Sequence, residues 1–154
     1  MKSKKTHKYQ IDLSIKIEDT SKASYVCLSN TTTAIVSISA RDKRELKIFF
    51  RKLNRPLIFK LFTFSVLCAK SIAISGTPSV TIDTEYISHE TEIHSFIIQI
   101  LTIWKNPHPT ITFNQVGRDS HAHIKALEAS RKKQKVLPIT INEVLILFNL
   151  IDKS

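Results

Sequence analysis

The stretch Ser79-Val80-Thr81-Ile82-Asp83-Thr84-Glu85-Tyr86 determines how the rest of the chain is interpreted. Its apolar residues alternate with threonine, which predicts a short strand, and Gly76 and Pro78 mark the start of that strand. A carboxylate at the end of a central strand faces the usual binding crevice of an open α/β sheet, so Asp83 is the first candidate functional residue. The alternative is that Asp83 only caps the following helix.

The chain has 154 residues, which predicts one domain with a core of its own. We expect a basic flexible tail over residues 1–8 and a single domain over residues 9–154. The tail has no apolar region or cleavage site of a secretory signal. Cys27 and Cys68 lie in apolar runs and predict reduced core residues of a cytoplasmic protein.

The balance of charges indicates the kind of partner. The formal net charge is +10, from 23 Lys and Arg against 13 Asp and Glu. A strongly basic domain favours a polyanion such as nucleic acid over a small neutral substrate.

The most apolar stretch, Leu57 to Ile74, is long enough to raise the question of a membrane span. Lys60 and Lys70 lie within this minimal window, and charged residues inside a span are costly. We therefore predict a buried helix, or a helix followed by a strand, and no membrane contact.

The first part of the chain predicts three strands. In Tyr9 to Ile17 every second residue is apolar, which places these residues on one face and points Asp12 to the opposite face with Ser14 and Lys16. Residues 25–28 and 34–38 follow after short turns, and Ile35, Val36 and Ile38 favour extended structure. Three strands with tight connections predict an antiparallel meander.

The rest of the chain predicts helices that alternate with strands. Ser39 with Asp42 resembles a capping box, and the helix that follows carries Glu45 beside its apolar stripe and ends before Pro56. After the strand at Asp83, the patterns predict a helix from about residue 88, a strand over 110–116, a helix from about 119 to 133 and a helix over 141–151, with a break at Pro138.

Two familiar motifs are excluded. His89 and His94 are five residues apart, whereas the zinc-protease helix needs histidines four apart on one face. The two glycines, Gly76 and Gly117, cannot form a phosphate-binding loop or a dinucleotide fingerprint.

The order of elements and acidic residues resembles the ribonuclease H-like superfamily of metal-dependent nucleases, Holliday-junction resolvases and integrases. The resemblance implies an α/β fold with a mixed five-stranded sheet, in which a three-strand antiparallel meander is joined by two parallel strands and flanked by helices. The family places one acid in the first strand, one in the first helix, one at the end of the fourth strand and a fourth ligand in a late helix. The matching positions are Asp12, Glu45, Asp83 and His123.

The resemblance implies a role for each of these residues. Asp12 would bridge two divalent ions about 4 Å apart, Glu45 and Asp83 would complete their coordination, and His123 would contact one ion. Mg²⁺ is the expected metal, with Mn²⁺ as a substitute, because the ligands are mainly carboxylates. Glu85, His89 and His121 have two interpretations. They either support the metal ligands or the substrate, or they are surface residues without a role.

Basic residues beside the predicted ligands are candidate contacts to the phosphates of nucleic acid. They share helices with Glu45 and His123, although a solvated surface would give the same pattern. They are Lys43, Arg44, Lys47, Arg51, Arg131, Lys132 and Lys133.

The sequence therefore predicts an endonuclease that hydrolyses phosphodiester bonds in DNA or RNA by a two-metal-ion mechanism. The first alternative is an inactive ribonuclease H-like module that binds nucleic acid or takes part in assembly. A third class is a protein that binds a partner through the apolar segment of residues 57–74, and a homodimer is left open.

Overall fold

The computed structural model describes residues 9–29, 34–114 and 136–153. The elements in chain order are β1 (Gln10–Ser14), β2 (Ser24–Ser29), β3 (Ala34–Ile38), α1 (Ala40–Lys52), α2 (Pro56–Ser75), β4 (Ser79–Asp83), α3 (Glu90–Ile103), β5 (Thr110–Asn114), β6 (Leu137–Ile139) and α4 (Ile141–Asp152).

The strands form one mixed sheet in the order β5-β4-β1-β2-β3-β6. The pairs β1–β2 and β2–β3 are antiparallel, and the pairs β1–β4, β4–β5 and β3–β6 are parallel. The predicted α/β class is confirmed, with its three-strand meander and two added parallel strands. The topology is compatible with the ribonuclease H-like fold that the sequence resembles.

The sixth strand was not predicted, because Pro138 was interpreted as a break. The structure places Pro138 in the middle of β6, paired with Ser37 of β3. Since β6 is the outermost strand of the sheet, one side of it needs no hydrogen-bond donor, and proline is tolerated there.

Strand β1 is shorter than predicted. It ends at Ser14, because Ile15 adopts a φ of 71°, which is unfavourable for a β-branched residue. The hydroxyl of Ser24 donates to the Ile15 carbonyl at 2.6 Å and holds this turn. Ile17 is still fully buried, so the chain returns to the core just after the turn.

The apolar segment is one helix, α2, rather than a helix and a strand. Proline opens the helix, and Gly76 ends it in the left-handed conformation with a φ of 67°. Among the described helices, α2 is long and apolar enough to cross a membrane by length and composition, and 67% of its most apolar window is buried within the fold. This burial is typical of a core helix.

The described helices pack on one face of the sheet. Helix α2 contacts β2 and β3, while α1, α3 and α4 pack around α2. Apolar side chains from that face, including Ile11 and Ile82, form the main core together with residues of all four helices. The other face of β1 carries Asp12, as the alternation of the sequence predicted.

Both cysteines, Cys27 and Cys68, are free and buried, as predicted.

Candidate metal centre

Asp12 and Asp83 lie on neighbouring parallel strands at matching positions. Strand β1 pairs with β4 so that Gln10 faces Thr81 and Ile11 faces Ile82. One residue further along the same register, Asp12 lies beside Asp83. Paired residues of parallel strands point to the same face, so the two carboxylates meet on the face opposite the helices.

Glu85 completes a cluster of three carboxylates. One ligand oxygen each from Asp12, Asp83 and Glu85 can be chosen so that all three atoms lie within 4.8 Å of one another. Asp12 is buried, and the other two residues are half-buried. Because the three come from the middle of β1, the end of β4 and the loop after it, the cluster depends on the β1–β4 pairing.

The Asp12 carboxylate is fixed by its surroundings. Its residue is only 3% exposed, and its Oδ1 accepts a hydrogen bond from the Leu13 main-chain N–H at 2.8 Å. A buried carboxylate with a fixed orientation is a pre-organised oxygen donor.

Glu85 lies close to the carboxylate of Asp83 and to the ammonium group of Lys16. Burial raises the pKa of Glu85 to about 8, the hydrogen bond to Asp83 adds to the rise, and the charge of Lys16 opposes it. The Lys16 Nζ lies 3.3 Å from Glu85 Oε1 and donates to the Glu85 main-chain carbonyl at 3.2 Å. The charge of Lys16 thus offsets part of the negative charge of the cluster.

Tyr86 anchors the loop that carries Glu85. Its hydroxyl accepts from the Ile17 N–H at 3.1 Å and donates to Glu18 Oε1 at 2.9 Å. Its ring packs edge-on against Phe64 of α2. The loop is therefore tied both to the chain just after β1 and to the core helix.

The donor set suits a hard divalent cation. Carboxylate oxygens are the preferred ligands of Mg²⁺ and Mn²⁺, and a bound cation would offset the negative charge of Asp12, Asp83 and Glu85. Among the described residues, no histidine or cysteine joins the cluster. The sequence placed Glu85 in a supporting role, whereas the structure makes it a full member of the carboxylate cluster.

Glu45 does not belong to this cluster. Its side chain is 49% exposed and forms an ion pair with Arg41 at 3.3 Å, one turn earlier on α1. Helix α1 packs mainly against α2 and α4, and the long helix that covers the sheet is α2, which contains no acidic residue. The glutamate that the resemblance assigned to the first helix therefore has no equivalent on the helix that crosses the sheet.

The histidines provide no further ligand among the described residues. His89 precedes α3, and its Nδ1 lies 3.3 Å from Glu92 Oε2. His121 and His123 lie outside the described residues, as do Arg131, Lys132 and Lys133.

The prediction that Lys43 binds phosphate is wrong. Lys43 is fully buried, and its Nζ donates to the Asp19 carbonyl at 2.6 Å and to the Ser24 hydroxyl at 2.7 Å. Burial lowers the pKa of Lys43 to about 8, although the charges of Asp19 and Glu18 oppose this. Lys43 therefore stabilises the β1–β2 turn and cannot reach a phosphate.

The other basic residues of α1 are accessible to different degrees. Arg44 is exposed and donates to the Thr20 carbonyl at 3.0 Å. Lys47 is half-buried, Arg51 is exposed, and both line a cavity near the start of α2. Arg44, Lys47 and Arg51 are therefore accessible to a polyanion such as nucleic acid.

Two residues near the centre were not selected from the sequence. Lys16 shares the sheet face of Asp12 in the alternating pattern, which is a usable signal, but its contact with Glu85 depends on the fold. Asn114 pairs with Asp83 across β4 and β5 and so presents its side chain on the same face. The sequence gives no sign of this, because the register of the two strands is not visible in it.

A scan against protein-family models finds no match to the chain. Searches of the curated proteins and of the solved structures return no match either.

Proposed function

We propose that this domain is a metal-dependent nuclease that hydrolyses phosphodiester bonds in DNA or RNA. The observation that carries the proposal is the convergence of Asp12, Asp83 and Glu85 within 4.8 Å on a sheet compatible with the ribonuclease H-like topology. The net charge of +10 supports a polyanionic substrate, because it draws nucleic acid toward a locally acidic centre.

Each residue has a distinct task in this proposal. Asp12, Asp83 and Glu85 would hold Mg²⁺ or Mn²⁺. A divalent cation bound by them supplies a Lewis acid for a phosphoryl oxygen and lowers the pKa of a bound water to make a nucleophile. Lys16 orients Glu85 through its two contacts and, with a side chain 52% exposed, places a positive charge where a phosphate would approach.

The proposal predicts Mg²⁺- or Mn²⁺-dependent cleavage that requires the cluster. Hybrid, duplex, single-stranded and branched substrates would be incubated with the parent, Asp12→Asn and Asp83→Asn, in Mg²⁺, in Mn²⁺ and in EDTA. We expect cleavage of at least one substrate by the parent and a loss of roughly 100-fold or more in both variants. Asp152→Asn is the matched control, because Asp152 is a surface carboxylate paired with Arg55.

Cleavage that persists in EDTA, or that is unchanged in Asp12→Asn, would contradict the proposal. Calorimetric titration with Mn²⁺ provides a second readout, in which Asp12→Asn and Asp83→Asn should abolish a binding event that Asp152→Asn keeps.

A second candidate is a module that kept the fold, binds nucleic acid and has lost catalysis. The ion pair between Lys16 and Glu85 favours this candidate, because a lysine of the same chain can replace a metal ion as the partner of an acidic residue. This candidate predicts nucleic-acid binding that is indifferent to Mg²⁺, and a parent that cleaves none of the substrates.

A further inference from the structure

A basic cavity of about 280 Å³ lies where α1 meets the start of α2. Three of its lining residues are cations, Lys47 and Arg51 from α1 and Lys60 from α2, and one is an acid, Glu18. The size is at the lower end of the range for small-ligand sites, which suits a group as small as a phosphate.

The three cations lack acidic partners among the described residues. None of the ion pairs found there involves Lys47, Arg51 or Lys60. The Glu18 carboxylate already accepts a hydrogen bond from the Tyr86 hydroxyl. Like charges that line one cavity repel one another, and an anion bound among them reduces that repulsion.

The first turn of α2 adds to the positive potential. Pro56 and Leu57 of this turn line the cavity, and the residue before the helix, Arg55, makes no side-chain capping bond. The first turn also contains no acidic residue. A 20-residue helix with an uncapped N-terminus favours an anion at that end.

Tyr86 connects this cavity with the carboxylate cluster. It follows Glu85 in the chain, and its hydroxyl binds Glu18 at the cavity wall. The ammonium groups of Lys60, from the cavity, and of Lys16, from the cluster, each lie 5.3 Å from the centre of its ring. Tyr86 therefore contacts residues of both sites.

We propose that the cavity binds a backbone phosphate of the nucleic-acid strand whose scissile phosphodiester lies at the carboxylate cluster. The position of the scissile bond rests on the proposed nuclease function, whereas the phosphate site itself does not. Two phosphates of one strand would then contact a basic and an acidic site, which fixes the register of the strand.

The test measures binding in EDTA, so that cleavage plays no part. Affinity for a fluorescent single-stranded oligonucleotide and for a hybrid would be compared between the parent, Lys47→Gln/Arg51→Gln and the control Lys52→Gln/Lys105→Gln. Both double variants remove two positive charges from the surface, and thermal unfolding checks that both remain folded. We expect the cavity variant to bind roughly tenfold more weakly than the control variant.

The salt dependence gives a second readout. Each lost phosphate contact should reduce the slope of log affinity against log salt by about 0.7 for a single strand. Equal losses of affinity and slope in the two double variants would overturn the proposal, because the cavity would then contribute only general charge.

Two further arms locate the phosphate. Oligonucleotides with one neutral methylphosphonate, moved along the strand, should lose affinity for the parent at one or two linkages only, with no additional loss in the cavity variant. An even loss along the strand overturns the proposal.

Binding of inorganic phosphate is the second arm. A cavity variant that fails to bind inorganic phosphate yet binds the oligonucleotide like the control also overturns the proposal, since the cavity would then bind a free anion. A parent that binds in this way but never cleaves would refute the nuclease and keep the phosphate site.

Discussion

The ammonium group of Lys16 contacts Glu85 twice, at 3.3 Å from a carboxylate oxygen and at 3.2 Å from the main-chain carbonyl. Among the described residues, Lys16 is thus a cation in direct contact with the carboxylate cluster. Its side chain is 52% exposed and can move toward solvent without breaking the core.

Replacing Lys16 should therefore strengthen metal binding. Lys16→Gln removes a positive charge close to the cluster, and Mn²⁺ should bind roughly three- to tenfold more tightly by calorimetry. Lys22→Gln, an exposed residue of the same turn, is the control and should change the affinity little. Weaker Mn²⁺ binding in Lys16→Gln would mean that its positioning of Glu85 outweighs its charge.

Glu85 and Glu45 are the two glutamates that could complete the site, and we predict different results for their replacement. We expect Glu85→Gln to lower Mn²⁺ affinity and cleavage by about 100-fold, because it removes an oxygen ligand. Glu45→Gln should stay within about threefold of the parent, since exposed ion pairs contribute little. A larger loss of cleavage in Glu45→Gln than in Glu85→Gln, measured side by side, would indicate that Glu45 rather than Glu85 belongs to the site.

Glu85 should make the metal-free protein less stable as the pH rises. Its pKa is raised from its usual 4.5 to about 8, so the folded state holds a proton that the unfolded state releases over this interval. The contribution is complete below about 4.5 and is lost as the pH passes 8. Denaturant unfolding in EDTA should show that the free energy of unfolding declines with pH in the parent and changes less in Glu85→Gln. A parallel decline in both proteins would show that another group binds the proton.

Lys43 should prove structural. Lys43→Ala removes a buried side chain and leaves the Asp19 carbonyl and the Ser24 hydroxyl without their donor, which should cost about 2–4 kcal/mol in unfolding free energy. Lys52→Ala, at an exposed position of the same helix, should stay within about 0.5 kcal/mol.

The titration of Lys43 provides a second check. Its pKa falls from 10.5 to about 8 on folding, so the unfolded state binds the extra proton and the stability of the parent should rise between these pH values. Lys43→Ala should lack this rise.

The sequence predicted the places of Asp12 and Asp83 in the sheet, because each lies in a regular pattern. Alternation over residues 9–17 assigned Asp12 to the polar face, and the strand ending at Asp83 was visible from its β-branched residues. Glu85 lies beyond the strand, where no periodicity gives a direction to the side chain. Its position depends on Tyr86, whose hydroxyl anchors the loop to Ile17 across 69 residues.

Errors arose where a local pattern has two structural explanations. Lys43 and Arg44 are adjacent basic residues of α1, and both donate to carbonyls of the β1–β2 turn, yet Lys43 is buried and Arg44 is exposed. The ammonium group of Lys43 also donates to the Ser24 hydroxyl inside the fold. Pro138 breaks a helix or a central strand but is compatible with an outer strand. In each case the deciding contact comes from a distant part of the chain.

Helix α2 has a consequence for biosynthesis. It is synthesised before β4, α3 and β5, so the ribosome releases 20 mostly apolar residues before α3 and α4, two of the three described helices that pack around them, exist. The parallel pairing of β1 with β4 must wait for the same later segments. Nascent chains should consequently recruit chaperones at this stage and, when translation outpaces folding, accumulate as aggregates through this helix.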